Sequence, residues 1–205
     1  MARTLDREKL LAAFDEIGRA AISANTRLNI VVFGGSALML ASNFRFATED
    51  VDIAEISKPW PPWLAEAVDR IALRNGWSPG WLNDAVTFHL SSLADAERDL
   101  AVFGTFPRRE DRVGLTVSVP SPRYLLALKL KALRVADFDR GAQDIADVAN
   151  LLRVLGIREV EPAIAIFSEF FPKSGADADR QRYVLRYILT QPSSGDAPRY
   201  PRRDD

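Results

Sequence analysis

Apolar and polar positions alternate along this chain with two different periods, and the first half switches between them. Over residues 5–24, Leu10, Leu11, Phe14 and Ile17 fall near helical spacing, with Asp6, Arg7, Glu8 and Lys9 in an exposed first turn. That spacing predicts an amphipathic helix. The apolar run Ile30-Val31-Val32-Phe33 predicts a buried strand over 29–33, and residues 36 to 42 read as a helix. Between them lies Gly34-Gly35-Ser36, a glycine turn. Residues 50–56 (Asp-Val-Asp-Ile-Ala-Glu-Ile) alternate carboxylate with apolar side chains and predict a strand. Prolines 59, 61 and 62 stop it. A helix follows over 62–75, closed by Asn75-Gly76.

Short strands are predicted at 86–90, 100–104 and 113–119, with a short helix or turn near 93–97. Ser121-Pro122 opens a helix over 122–135, since proline is preorganised for the first helical position. Further helices are predicted at 141–155, 159–171 and 177–190. The expected fold class is therefore α/β (α+β): a mixed sheet flanked by helices over 1–120, and a helical extension over 121–190 that completes a cleft. Residues 191–205 read as a disordered tail.

Composition narrows the chemistry. Hydrophobic residues make up 47% and charged residues 27%, an ordinary globular balance, and net charge is −1. Nothing in the whole-chain charge calls for nucleic acid, although 101–140 holds eight basic residues against four acidic ones. That stretch reads either as a phosphate-attracting surface or as a solvated face. The chain has no cysteine, which excludes thiolate metal sites and cysteine nucleophiles. Its one histidine, His89, falls inside the strand expected at 86–90 and is assigned to structure rather than catalysis. No apolar run is long enough to cross a bilayer, and the N-terminus has no apolar signal core, so a cytoplasmic location without membrane contact is expected.

Two groups of residues carry candidate chemistry. Glycines at 34 and 35 permit positive φ and close approach of a ligand to the backbone, and the helix start beside Ser36 suits a phosphate. Asp50 and Asp52, at i and i+2 on a strand, share a face and suit one divalent cation, Mg²⁺ or Mn²⁺. The second group is Lys129 and Arg134 on one helix with Asp144 and Asp147 on the next. Its basic and acidic faces form a salt-bridge latch, or else Lys129 holds a triphosphate while Asp144 orients it or serves as a base. Trp60, Trp63 and Trp81 are packing residues or stack on a base.

Gly-Gly-Ser followed by Asp-Val-Asp resembles the signature of the DNA polymerase β-type nucleotidyltransferase superfamily. Lys129 with Arg134, and Asp144 beyond them, are similar to the later motifs of the AbiEii-like toxin nucleotidyltransferase branch. Arg45 and Thr48 match the lead-in to the paired aspartates in that group, and Trp81-Leu82-Asn83-Asp84 looks like a segment of related nucleotidyltransferase-like proteins. The resemblance spans about 28–155 and implies metal-dependent transfer of NMP from an NTP, with tRNA as one acceptor and an antitoxin protein as partner. It implies catalytic roles for Asp50, Asp52, Lys129 and Asp144. Nucleotide contacts fall to Gly34, Gly35, Ser36, Arg45, Thr48, Lys129 and Arg134, and metal binding to Asp50 and Asp52. One departure stands out: many members carry a third metal carboxylate on a later strand, and 113–119 here contains no acid. A catalytically weak nucleotide-binding module acting through a protein partner is therefore the alternative.

Overall fold

The computed structural model describes residues 4–54, 59–133, 138–172, 175–192 and 196–201. In chain order these form β1 (Leu5–Asp6), α1 (Arg7–Ser23), β2 (Leu28–Val32), α2 (Gly34–Ala41), β3 (Ala47–Thr48), β4 (Val51–Ala54), α3 (Pro62–Asn75) and β5 (Leu82–Asn83). A 3₁₀ turn (Ala85–His89) follows, then α4 (Ala96–Asp99), β6 (Leu100–Phe106), β7 (Leu115–Pro120), α5 (Pro122–Ala132), α6 (Phe138–Val154), α7 (Val160–Phe170) and α8 (Gly175–Thr190).

The mixed α and β architecture agrees with the expected class. Five strands form one sheet in the order β5-β4-β2-β7-β6. β2 runs antiparallel to β4 and parallel to β7, and β6 is antiparallel to β7. Register decides which side chains share a face. Val32 pairs with Ile53, so Phe33 stands opposite Asp52, and the Phe33 N–H donates to the Asp52 carbonyl (2.9 Å). Asp52, Phe33 and Val31 thus point to one side of the sheet. α5 covers that side, with the Tyr124 ring edge-on to Phe33 at 6.3 Å. α1 covers the other side, where Phe14 packs on Phe106 at 5.4 Å.

Local chemistry explains most boundaries. The Asp6 carboxylate accepts from the Lys9 N–H and caps α1. α3 begins at the Pro62 of a proline pair and ends at Gly76, whose φ of +67° suits a left-handed C-cap. Ser121 caps α5, accepting from the Tyr124 N–H, with Pro122 in its first turn. α1 sits close enough to the sheet that a Cβ at Gly114 would lie 1.9 Å from the Gly18 carbonyl oxygen. The apolar interior is one continuous cluster running from Leu5 to Ile188.

Three expectations change. Residues 86–90 are not a strand: the Asn83 side chain accepts from the Ala85 N–H and turns the chain into a 3₁₀ helix, overriding the β-favouring Val-Thr-Phe run. The acidic strand is shorter than 50–56. Asp50 precedes it, and residues 55 and 56 lie outside the described residues. Within the expected disordered tail, the stretch 196–201 is held against the fold. Asn43 donates to the Ala197 carbonyl and accepts from the Arg199 N–H, and the Tyr200 hydroxyl donates to the Pro120 carbonyl (2.6 Å). No helix among the described residues is long and apolar enough to cross a membrane.

Candidate functional site

β2 delivers the chain into the glycine turn in an extended conformation at Phe33, and Gly34 then takes φ +63°. A side chain at Gly34 would be strained there, and its Cβ would come within 3.0 Å of Asp52 Oδ2. Glycine is thus what lets the turn lie directly against this carboxylate. The first helical hydrogen bond of α2 runs from the Ala37 N–H to the Phe33 carbonyl (3.1 Å), so the N–H groups of Gly34, Gly35 and Ser36 precede the ladder. Ser36 is buried, and its hydroxyl donates to the Phe33 carbonyl (2.8 Å), bracing the turn from within.

Arg45 and Thr48 stand behind this turn. A Cβ at Gly35 would lie 3.1 Å from an Arg45 guanidinium nitrogen and 3.2 Å from Thr48 Oγ1. Thr48 is buried and donates to the Asp50 carbonyl (3.1 Å), which shapes the approach to β4. Arg45 donates to the Ala47 carbonyl (2.8 Å) and reaches Asp147 on α6 at 3.2 Å.

Both aspartates have carboxyls raised above the ordinary carboxylate range. For Asp50 the larger cause is desolvation, followed by the charge of Glu49. For Asp52 it is desolvation and then the charge of Asp50; the Asn83 side chain, Lys129 and His89 act in the opposite direction. The charge of Asp50 thus adds to desolvation in raising Asp52, a penalty that a divalent cation bound there would relieve. Mg²⁺ commonly takes one or two protein carboxylates and completes its shell with phosphate and water, so this donor set fits it. Among the described residues there is no group of three acidic or histidine side chains able to hold a metal. The register shows why. β7 runs beside β2, and its positions on the Asp52 face are Thr116 and Ser118, not acids.

Lys129 on α5 is nearly buried and makes two ion pairs across to α6, with Asp144 at 2.7 Å and Asp147 at 2.8 Å. Asp147 is fully buried and also accepts from Gln143 (3.1 Å). The latch joining the two helices is present, and Arg45 extends it to the glycine turn. Arg134 lies outside the described residues.

These parts meet at a cavity of about 560 Å³. Gly34, Gly35 and Asp52 form part of its lining; Lys129 and Lys131 of α5, Arg180 of α8 and His89 of the 3₁₀ turn form more of it. Ser36, Arg45, Thr48, Asp50 and Asp144 are not among its lining residues; Asp50 precedes β4 and is exposed beside it, and the others act on the cavity through the turn or through Lys129. A larger cavity, about 770 Å³, lies between α6, α8 and the 196–201 stretch, lined by apolar groups with Asn150, Arg153 and Arg158. It offers no carboxylate, so the chemistry points to the smaller one.

Sequence reasoning did not anticipate Asn83, His89, Lys131 or Arg180. His89 is exposed to the cavity rather than packed in a strand, and the Asn83-Asp84 turn signal was the clue to this. Arg180 had no local signal, because α8 meets the cavity only through the tertiary fold. Trp81 is fully buried and donates to the Val68 carbonyl (3.1 Å), and Trp60 and Trp63 pack against the core.

Residues 8–97 match the model of a family described as nucleotidyltransferase of unknown function (DUF6036). The matched stretch contains the glycine turn, both aspartates, Asn83 and His89, and supports a general nucleotidyltransferase function. It ends before Lys129, Asp144, Asp147 and Arg180. No curated protein and no solved structure matches the chain.

Proposed function

We propose that this protein is a metal-dependent nucleotidyltransferase that moves NMP from an NTP to an acceptor hydroxyl. The observation that carries the reading is the shared cavity: a glycine turn with unladdered N–H groups, the Asp52 carboxylate, and the cationic side chains of Lys129, Lys131 and Arg180 all border it. Phosphoryl-type transfer depends chiefly on positioning and charge neutralisation, and this set of groups suits both. Asp50 and Asp52 would hold Mg²⁺ or Mn²⁺, which supplies neutralisation of phosphate charge and alignment of the triphosphate. The N–H groups of the turn receive phosphate oxygens. Lys129, its ammonium fixed by Asp144 and Asp147, lines the cavity. Ser36, Arg45 and Thr48 keep the turn in shape beneath the nucleotide.

In finer detail we propose the AbiEii-like branch, with tRNA as acceptor and an antitoxin as protein partner. The support is the order of Arg45, Thr48, Asp50, Asp52, Lys129 and Asp144 along the chain, together with the contact network that joins Arg45 to Lys129 through Asp147. Incubation with each labelled NTP, Mg²⁺ and total tRNA is expected to label RNA, and Asp52→Ala to abolish labelling. Absence of label on any nucleic acid or protein from any NTP would sink the assignment. A second reading, a nucleotide-binding module with little turnover, is favoured by β7 carrying Thr116 and Ser118, and no acid, on the Asp52 face. Tight NTP binding without transfer would select it.

A further inference from the structure

His89 is exposed, lines the cavity and belongs to a 3₁₀ turn with no buried residue, so packing gives no account of it. The other titratable groups lining the same cavity are Asp52, Lys129, Lys131 and Arg180. In the proposed reading Asp52 is assigned to the cation, and lysine ammonium and arginine guanidinium groups are hydrogen-bond donors rather than acceptors. Asp144, the base suggested by sequence, is paired with Lys129 and does not line the cavity. β7 supplies only Thr116 and Ser118 on the Asp52 face. Transfer to a hydroxyl needs a group that accepts its proton, and among the described lining residues the side chain left with an atom suited to that task is the His89 imidazole.

Resting on the nucleotidyltransferase reading, we infer that His89 is the catalytic base that activates the acceptor. A ring nitrogen of His89 takes the proton of the acceptor hydroxyl as that oxygen bonds to the α-phosphorus of the NTP. The bond from the α-phosphorus to the bridging oxygen breaks, and pyrophosphate leaves with the electron pair. The charged groups around the imidazole are Asp52 and Asp50 from β4 and its approach, Lys129 and Lys131 from α5, Arg180 from α8, and Asp84 beside its own turn.

The test compares wild type, His89→Gln and His89→Ala with labelled NTP, Mg²⁺ and total tRNA, measuring the pH profile of kcat and, separately, binding of a non-hydrolysable NTP. Expected are a fall in kcat of about 10²-fold or more, loss of the acidic limb of the profile, unchanged NTP affinity, and partial rescue of His89→Ala by free imidazole. Full kcat with an intact acidic limb in His89→Gln overturns the inference while leaving the transferase reading in place. Equal loss of NTP binding and rate, without imidazole rescue, also overturns it and makes His89 a phosphate contact. A wild-type protein that neither binds nor transfers nucleotide overturns both.

Discussion

Burial raises the carboxyls of Asp50 and Asp52, with the charge of Glu49 adding to the first and that of Asp50 to the second, and that makes their effect on stability opposite to that of carboxylates held by a cationic partner. Their folded carboxyls are raised, so the contribution they make to stability is full below the ordinary carboxylate range and is lost as pH rises through the raised values. Replacing both by Asn is expected to raise the neutral-pH melting temperature by a few degrees, with the gain vanishing in acid. Mg²⁺ should stabilise wild type and not the double variant; thermal melts across pH, with and without the ion, check this. Gly34 makes a second point at this scale. Gly34→Ala forces an L-residue into φ +63° beside Asp52 Oδ2, and is expected to cost about 1–2 kcal/mol in urea unfolding and to weaken NTP binding.

Between elements, the α5–α6 latch separates into an inner and an outer half. Lys129→Met leaves the buried Asp147, among the described residues, with Arg45 and Gln143, and is expected to cost about 3 kcal/mol. Asp144 is more than a third exposed, so Asp144→Asn is expected to cost under about 1 kcal/mol. Equal losses in urea titrations would show that the two carboxylates act alike and refute the division. Gly114→Ala should open α1 from the sheet, because its Cβ meets the Gly18 carbonyl, and should lower the melting temperature more than either latch variant. How far elements could be read from sequence follows the range of the forces that set them. α3 was legible to the residue because Pro62 and Gly76 act within one turn. The 3₁₀ turn was misread because strand preference and a side-chain turn competed over the same five residues. β1, β3 and β5 span two residues each and exist only through distant partners, which no local pattern displays.

Across the whole molecule, the glycine turn and the paired aspartates were readable because they lie close in sequence, while the opposite wall was not. His89 and Arg180 reach the cavity through the path of the chain, and Arg45 meets Asp147 from 102 positions away. The 196–201 stretch adds a similar long connection, since Asn43 holds its backbone at two points and Tyr200 is anchored on the carbonyl that ends β7. Asn43→Ala is expected to cost about 1–2 kcal/mol and to speed hydrogen exchange in the 43–48 loop; unchanged exchange there would show that the stretch does not support it.

Asp147 offers a consequence of another kind. Its single buried carboxylate balances Arg45 from the N-terminal half and Lys129 from the helical half. Loss of Asp147 removes a carboxylate from both Arg45 and Lys129, and loss of either cation removes an ion pair from the buried Asp147, so the three should vary as a unit over descent. Aligned relatives are expected to keep Arg, Lys and Asp together or to lose them together. Chimeras that join the first half of one relative to the second half of another should fold only when that trio is inherited intact.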